Sequence, residues 1–371
     1  MDIQISQVQS IPLIANAFKV LLTGLLAFLL AFVLTPLWTH ILYKYKIGIK
    51  IKEKSVDGDQ LTFVNKLHAA KAGTPTMGGV IVWISVLILA LLSHYTFPFI
   101  AEWTNTNFVA RLDFFSRAQV WLPLFALTTA GILGLFDDYM SVRDCGSNKG
   151  GGMRFALRFW WLFVIAGAGA WWFYSKLGWD QIHIPAVGDF SIGLWYIPLF
   201  IFVILFAAIS SNETDGLDGL DGGVLLIAFS SFTFIAFMQN RMDLAALCAA
   251  IAGALLAFLW FNIYPARFFM GDTGAIALGT TLGVVAMLTN SIVVLFIIVF
   301  IYILESGSVV IQLTSKRFFG RKVFLAAPLH HHFEAKGWAE PKIVMRAWIF
   351  TALFALIGVM IGILGMGKLQ L

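Results

Sequence analysis

Apolar residues fall in ten runs, with polar and glycine-rich stretches between them. The runs lie at about 18–43, 77–98, 118–136, 155–174, 194–211, 222–239, 243–261, 275–290, 291–313 and 347–368. A helix rises 1.5 Å per residue, so about 20 apolar residues cross the hydrocarbon core. The pattern predicts an all-α integral membrane protein of about ten transmembrane helices, forming one domain over residues 1–371. One stretch, 181–192, alternates apolar and polar positions around Gly188-Asp189 and predicts a small β-hairpin.

Composition sharpens the class. Of 371 residues, 60% are hydrophobic and 12% charged, with a mean hydropathy of +0.86. A soluble domain carries about 25% charged residues. Disorder, a coiled coil and a soluble α/β enzyme are therefore excluded, and no nucleic-acid partner is expected. Cys145 and Cys248 are too few for a disulfide framework and have no metal-ligand spacing.

The placement of charge says more than the net value of +5. Loops after odd-numbered runs, with their flanks, hold 19 of the 25 Lys and Arg residues. Loops after even-numbered runs hold only Arg111, Arg117, Lys176 and Arg241. Basic residues stay cytoplasmic, so both termini and the hairpin are expected to be periplasmic. The loops 44–76, 137–154, 212–221, 262–274 and 314–346 are then cytoplasmic. No signal peptide is expected, because the first apolar run is too long for one.

Candidate chemistry collects in those loops. Asp137 and Asp138 end the third run, and adjacent helical positions diverge by about 100°, so only one carboxylate can face a given site. The alternative is a helix ending in water. In Asn212-Glu-Thr-Asp-Gly-Leu-Asp-Gly-Leu-Asp-Gly-Gly223, the spacing of Asp215, Asp218 and Asp221 puts all three on one face if helical, and the glycines suggest an open approach for a ligand. In Asn262-Ile-Tyr-Pro-Ala-Arg-Phe-Phe-Met-Gly-Asp-Thr-Gly274, Asp272 reads either as an N-cap or as a ligand-binding carboxylate.

His330, His331 and His332 lie in a basic loop. Without a nearby cysteine they suit an anionic substrate better than zinc, the alternative being a loop resting on an anionic leaflet. Gly and Thr residues after Lys71 offer backbone N–H groups of the kind that bind phosphate at a helix start. Glu305, inside the ninth run, marks either function or a kink. Carboxylates, cations and glycine turns on one membrane face suit Mg²⁺ held by oxygen ligands beside a phosphate chain. The reaction class is phosphoryl transfer between a soluble and a lipid partner.

Five motifs then occur in order: Lys71-Ala-Gly-Thr-Pro-Thr-Met-Gly-Gly, Phe136-Asp-Asp-Tyr, Thr214-Asp-Gly-Leu-Asp-Gly-Leu, Phe269-Met-Gly-Asp-Thr-Gly and Ala327-Pro-Leu-His-His-His-Phe-Glu. Over nearly its whole length the chain resembles the phospho-N-acetylmuramoyl-pentapeptide transferases. These are a branch of the polyprenyl-phosphate N-acetylhexosamine-1-phosphate transferases. The resemblance implies transfer of phospho-MurNAc-pentapeptide from UDP-MurNAc-pentapeptide to undecaprenyl phosphate, giving lipid I and UMP. It also implies Mg²⁺, a homodimer and a place in the bacterial inner membrane.

By motif match, Asp272 and Asp215 would hold Mg²⁺, and Asp137 would be the base, with Asp138 beside it. Lys71, Thr76, Asn212, Asp218, Asn262 and Phe269 would bind substrate, and His330–His332 would sit near its phosphates or sugar. Direct attack and a covalent intermediate on Asp272 both stay open. The chain departs from the family pattern at Ile209, Glu213, Asp221, Ser141, Arg158 and Ala275. Rival readings are a UDP-GlcNAc-using sister transferase and, from another class, a divalent-cation transporter with carboxylates near mid-membrane.

Overall fold

The structure, a computed structural model, describes residues 2–45, 47–48, 71, 73–104, 113–114, 118–146 and 152–365. His68, Arg111, Arg117, Lys368 and residues 147–151 lie outside the described residues.

Each of the ten apolar runs is helical. The helices are α1 (Asp2–Lys44), α2 (Val80–Thr104), α3 (Ala118–Arg143), α4 (Phe155–Trp171), α5 (Tyr196–Thr214), α6 (Leu220–Met238) and α7 (Met242–Asn262). They continue with α8 (Asp272–Leu288), α9 (Ile292–Ile298), α10 (Phe300–Phe319), a short α11 (Leu329–Ala335) and α12 (Glu340–Gly365). The hairpin forms as expected from β1 (Gln181–Ile184) and β2 (Gly188–Ser191), paired antiparallel. Its turn is shifted: Pro185, Ala186 and Val187 make it, with Ala186 at a φ of 64°, and Gly188-Asp189 begin β2.

Among the described residues, eight helices are long and apolar enough to span a membrane individually. Two runs depart from simple spans. The ninth breaks at Val299, where α9 and α10 meet at 78°. The eighth is the 17-residue α8. It can be short because protein surrounds it: α3 and α5 pack along it, and every residue from Thr273 to Leu288 is buried. The outermost helices instead turn apolar side chains outward, as Leu21 (73% exposed) on α1 and Ile349 (71%) on α12 do. An apolar outer surface is what lipid requires.

Between membrane helices, packing rather than the hydrophobic effect supplies most of the attraction, so small residues collect where backbones approach. On α8 these include Ala275, Ala277, Gly279 and Gly283. A Cβ on Gly279 would stand 2.5 Å from the Ala207 carbonyl oxygen of α5. Gly279→Val therefore overpacks this contact and should destabilise the fold by about 1–3 kcal/mol. A thermal melt in detergent checks it, and an unchanged midpoint would contradict the close packing.

The chain alternates direction so that the C-terminal ends of α3, α5 and α7 and the N-terminal ends of α6, α8 and α12 share one end of the bundle. The hairpin and the α6–α7 and α8–α9 turns lie at the other.

Candidate active site

The site is built on the N-terminus of α8. A helix start leaves backbone N–H groups without intrahelical partners. Here a carboxylate from another helix takes them: Asp138 of α3 accepts the N–H groups of Asp272 (3.2 Å) and Thr273 (3.1 Å). Gly134, one turn earlier on α3, allows this approach, since a Cβ there would lie 2.3 Å from the Asp272 carbonyl oxygen. Asp272 is thus the first residue of α8 rather than its cap; Gly271, with a φ of 74°, precedes it.

Its own carboxylate is left for the site. Oδ1 accepts from Asn212 Nδ2 at 2.6 Å and Oδ2 from Arg158 Nη1 at 2.6 Å. The same Arg158 nitrogen donates to Asp137 Oδ2 at 3.2 Å, and Asp137 Oδ1 accepts the Met153 N–H at 2.6 Å. Asp137 and Asp138 diverge as helix geometry requires, one toward Arg158 and one onto α8. Arg158, at the start of α4, is a site residue that motif reasoning treated only as a departure. A cation opening an apolar run was the available signal.

The acidic segment is not one helical face. Asp215 caps α5, Asp218 sits in the turn, and Asp221 belongs to α6. Asp215 accepts the Gly271 N–H at 3.0 Å. Burial, with the Asp221, Asp272 and Asp138 carboxyls around it, pushes Asp215 well above the ordinary carboxylate range. Asp221 is fully buried, accepting from Ser211 Oγ (2.8 Å) and the Tyr302 hydroxyl (2.6 Å). Glu213 accepts from Ser306 Oγ at 2.5 Å. These two departures from the family pattern therefore come with partners and tie α5 and α6 to α10. The glycines here admit protein rather than ligand: His330 packs on Gly216, and Trp348 on Gly219 and Gly223.

A second cluster adjoins the first. Lys71 Nζ donates to Asp218 Oδ1 at 2.6 Å and to Glu340 Oε1 at 2.5 Å, and lies 5.6 Å from the centroid of the partly exposed Phe269 ring. Thr76 is buried beside Gly271. Asn262 is committed to the backbone, accepting the Gly219 N–H (3.0 Å) and donating to the Phe268 carbonyl (2.9 Å). The glycine-rich start of α2 does not present free N–H groups as expected. Gly78 and Gly79 donate to the Phe269 and Met270 carbonyls, both at 2.8 Å.

The histidines form a helix, not an extended pair. His330 is buried, and Glu305 accepts both its N–H (3.2 Å) and its Nδ1 contact (3.1 Å). Its Nε2 has no hydrogen-bond partner among the described residues. His331 Nδ1 meets Glu334 at 2.7 Å, and His332 Nδ1 accepts the Leu325 N–H at 3.1 Å. Burial and the nearby Lys336 hold His332 below its ordinary value. Glu305 is six residues past the break at Val299, so it orients His330 rather than marking the kink.

Among the described residues, no three His, Cys, Asp or Glu side chains are arranged to hold a metal by themselves. Mg²⁺ does not need that: it binds through one or two carboxylates together with waters and substrate phosphates. Hard oxygen donors at Asp272 and Asp215, in a cluster where burial and neighbouring carboxyls disfavour further negative charge, fit such an ion.

Comparison with known proteins places this arrangement. Residues 120–290 match glycosyl transferase family 4, and residues 71–81 match the phospho-N-acetylmuramoyl-pentapeptide-transferase signature 1. A phospho-N-acetylmuramoyl-pentapeptide-transferase of Chloroflexus aggregans is 34% identical over 365 residues, covering 95% of this chain and 92% of its own. One of the same name from Geobacillus sp. is 34% identical over 345 residues, covering 91% and 96%. The chain belongs to the phospho-N-acetylmuramoyl-pentapeptide-transferase family.

The two matches divide the site between them. The family 4 region runs through α3 to α8 and contains Asp137, Asp138, Asp215 and Asp272. The transferase signature is the segment from Lys71 into α2, which lies against Phe269 and Met270. The transferase-family carboxylates gather at helix ends on one side of the bundle, which disfavours the transporter reading. The signature and the relatives carry the muramoyl name, not that of the UDP-GlcNAc branch.

Proposed function

We propose that this multi-pass membrane protein transfers phospho-MurNAc-pentapeptide from UDP-MurNAc-pentapeptide to undecaprenyl phosphate, giving lipid I and UMP in peptidoglycan synthesis. It acts as a homodimer in the bacterial inner membrane, with the site facing the cytoplasm. The observation that carries the reading is the meeting of Asp137, Asp138, Asp272 and Arg158 at the partly buried N-terminus of α8. The ends of the apolar helices bring water-borne and lipid-borne phosphates to one place.

In the reaction, an oxygen of the lipid phosphate attacks the sugar-bearing phosphorus of the donor. The bond from that phosphorus to the bridging oxygen breaks, and UMP leaves. Phosphoryl transfer asks little covalent chemistry of a protein; positioning and charge stabilisation dominate. Asp272 and Asp215 would hold Mg²⁺, which when bound neutralises charge on the diphosphate and on the departing UMP. Asp137 takes the remaining proton of the lipid phosphate; that proton has a pKa of about 6, like a phosphoserine's second, so the base contributes less than charge stabilisation. Asp138 keeps α8 in place.

The test is transfer of labelled phospho-MurNAc-pentapeptide into an extractable lipid by purified protein, with and without EDTA. Chelation should abolish transfer and restored Mg²⁺ should recover it. Transfer that persists in excess EDTA would remove Mg²⁺ from the reaction.

A further inference from the structure

Glu340 opens α12, and none of the five motifs contains it. Its side chain is 10% exposed, and one oxygen, Oε1, takes two donors: Lys71 Nζ at 2.5 Å and the Asp218 N–H at 2.7 Å. Lys71 also donates to Asp218 Oδ1 at 2.6 Å, and Asp218 Oδ2 accepts the Ala266 N–H at 3.0 Å. The strap before α2, the α5–α6 turn, the α7–α8 loop and the start of α12 are thus joined through one carboxylate.

We propose that Glu340 is a positioning residue for the donor nucleotide, fixing Lys71 beside Phe269 and holding the Asp218 turn. This rests on the proposed function, with Lys71, Asp218 and Phe269 among the residues that bind the donor, and deepens it. Lys71 and Asp218 are both outside regular helices, and a lysine side chain loses much rotamer freedom when held in one geometry. An ion pair between two such groups alone would not define where either sits. Glu340 stands on a long helix, at its N-terminus where a carboxylate is favoured, and so provides a rigid anchor. Its hydrogen bonds are charge-assisted and largely shielded from water, the class that contributes most. Lys71 is thereby shared between two carboxylates, which commits its ammonium to Asp218 and Glu340 beside the Phe269 ring rather than to neutralising a phosphate.

The experiment compares wild type with Glu340→Ala and Glu340→Gln in detergent. It reads kcat, KM for the UDP donor, KM for undecaprenyl phosphate, and calorimetric binding of UMP. Glu340→Ala should raise the donor KM and the UMP Kd by about tenfold or more, the loss of one charged hydrogen bond. The kcat and the lipid KM should stay within about threefold, below 1 kcal/mol. Glu340→Gln keeps an acceptor for the Asp218 N–H but no charge for Lys71, and should fall between; it also carries the test if the Ala variant does not fold. Added to Lys71→Ala, Glu340→Ala should cost less than it does alone, because one acts through the other. Wild-type UMP affinity in both variants, or a fall in kcat with donor KM unchanged, would overturn the proposal. A wild type that neither binds UMP nor releases it from any donor would overturn the function reading, and this inference with it.

Discussion

Asp272→Asn lowers turnover by roughly 10²–10⁴-fold, since a metal's charge stabilisation is worth several kcal/mol and each 1.36 kcal/mol is tenfold. The variant keeps the shape of the side chain and an oxygen to accept from Arg158 or Asn212. It also removes one negative charge from a cluster in which Asp137, Asp138 and Asp215 lie nearby. The melting midpoint should therefore fall less than in Arg158→Ala, because Arg158 keeps Asp137 as a partner, while activity collapses, which separates loss of chemistry from loss of fold. Near wild-type turnover in the purified variant would end the metal assignment for Asp272. Asp138→Asn acts differently, because Asp138 is occupied with the first N–H groups of α8. It should cost less turnover and more stability.

Arg158→Ala is expected to lower both stability and turnover. One guanidinium nitrogen lies between Asp137 and Asp272, at 3.2 and 2.6 Å, and the Arg158 side chain is 22% exposed. Removing one partner of a buried ion pair costs about 3–5 kcal/mol; partial solvent access places this site at the lower end. The two carboxylates would then repel each other where substrate phosphates must enter, and turnover should fall by about 10²-fold or more, as for lost transition-state charge stabilisation. Arg158→Lys should remain within about tenfold of the parent. Arg and Lys are poor substitutes where a bidentate fork is used, but here a single nitrogen makes both contacts. A lysine ammonium can occupy that point. A melting midpoint and turnover unaffected in Arg158→Ala would contradict the bridging role.

Much of this was legible in the sequence because charge is rare in the chain. A carboxylate at the end of an apolar run is costly unless it is used, and that made Asp137, Asp138, Asp215 and Asp272 candidates, with a helix end in water or an N-cap as the alternatives until the five motifs were read together. The ten apolar runs gave the helices for the same reason. What the sequence did not carry is tertiary. That Asp138 caps α8 depends on two distant helices meeting at Gly134. Asp215, Asp218 and Asp221 share a helical spacing, but the backbone leaves the helix between α5 and α6, with Gly219 at a φ of 79°. The resulting turn sends each carboxylate to a different partner. Hydrophobicity cannot mark the break at Val299, because both sides of it are apolar. Glu340 opens a helix, where a charged residue is ordinary, and only its partners reveal it.

The most direct measurement of the proposed function is UMP release by the purified protein with undecaprenyl phosphate, comparing UDP-MurNAc-pentapeptide with UDP-GlcNAc, each with and without Mg²⁺. The proposed function predicts Mg²⁺-dependent release from the muramoyl donor and none from UDP-GlcNAc. Release from UDP-GlcNAc alone, or from neither donor by a folded protein, would contradict it.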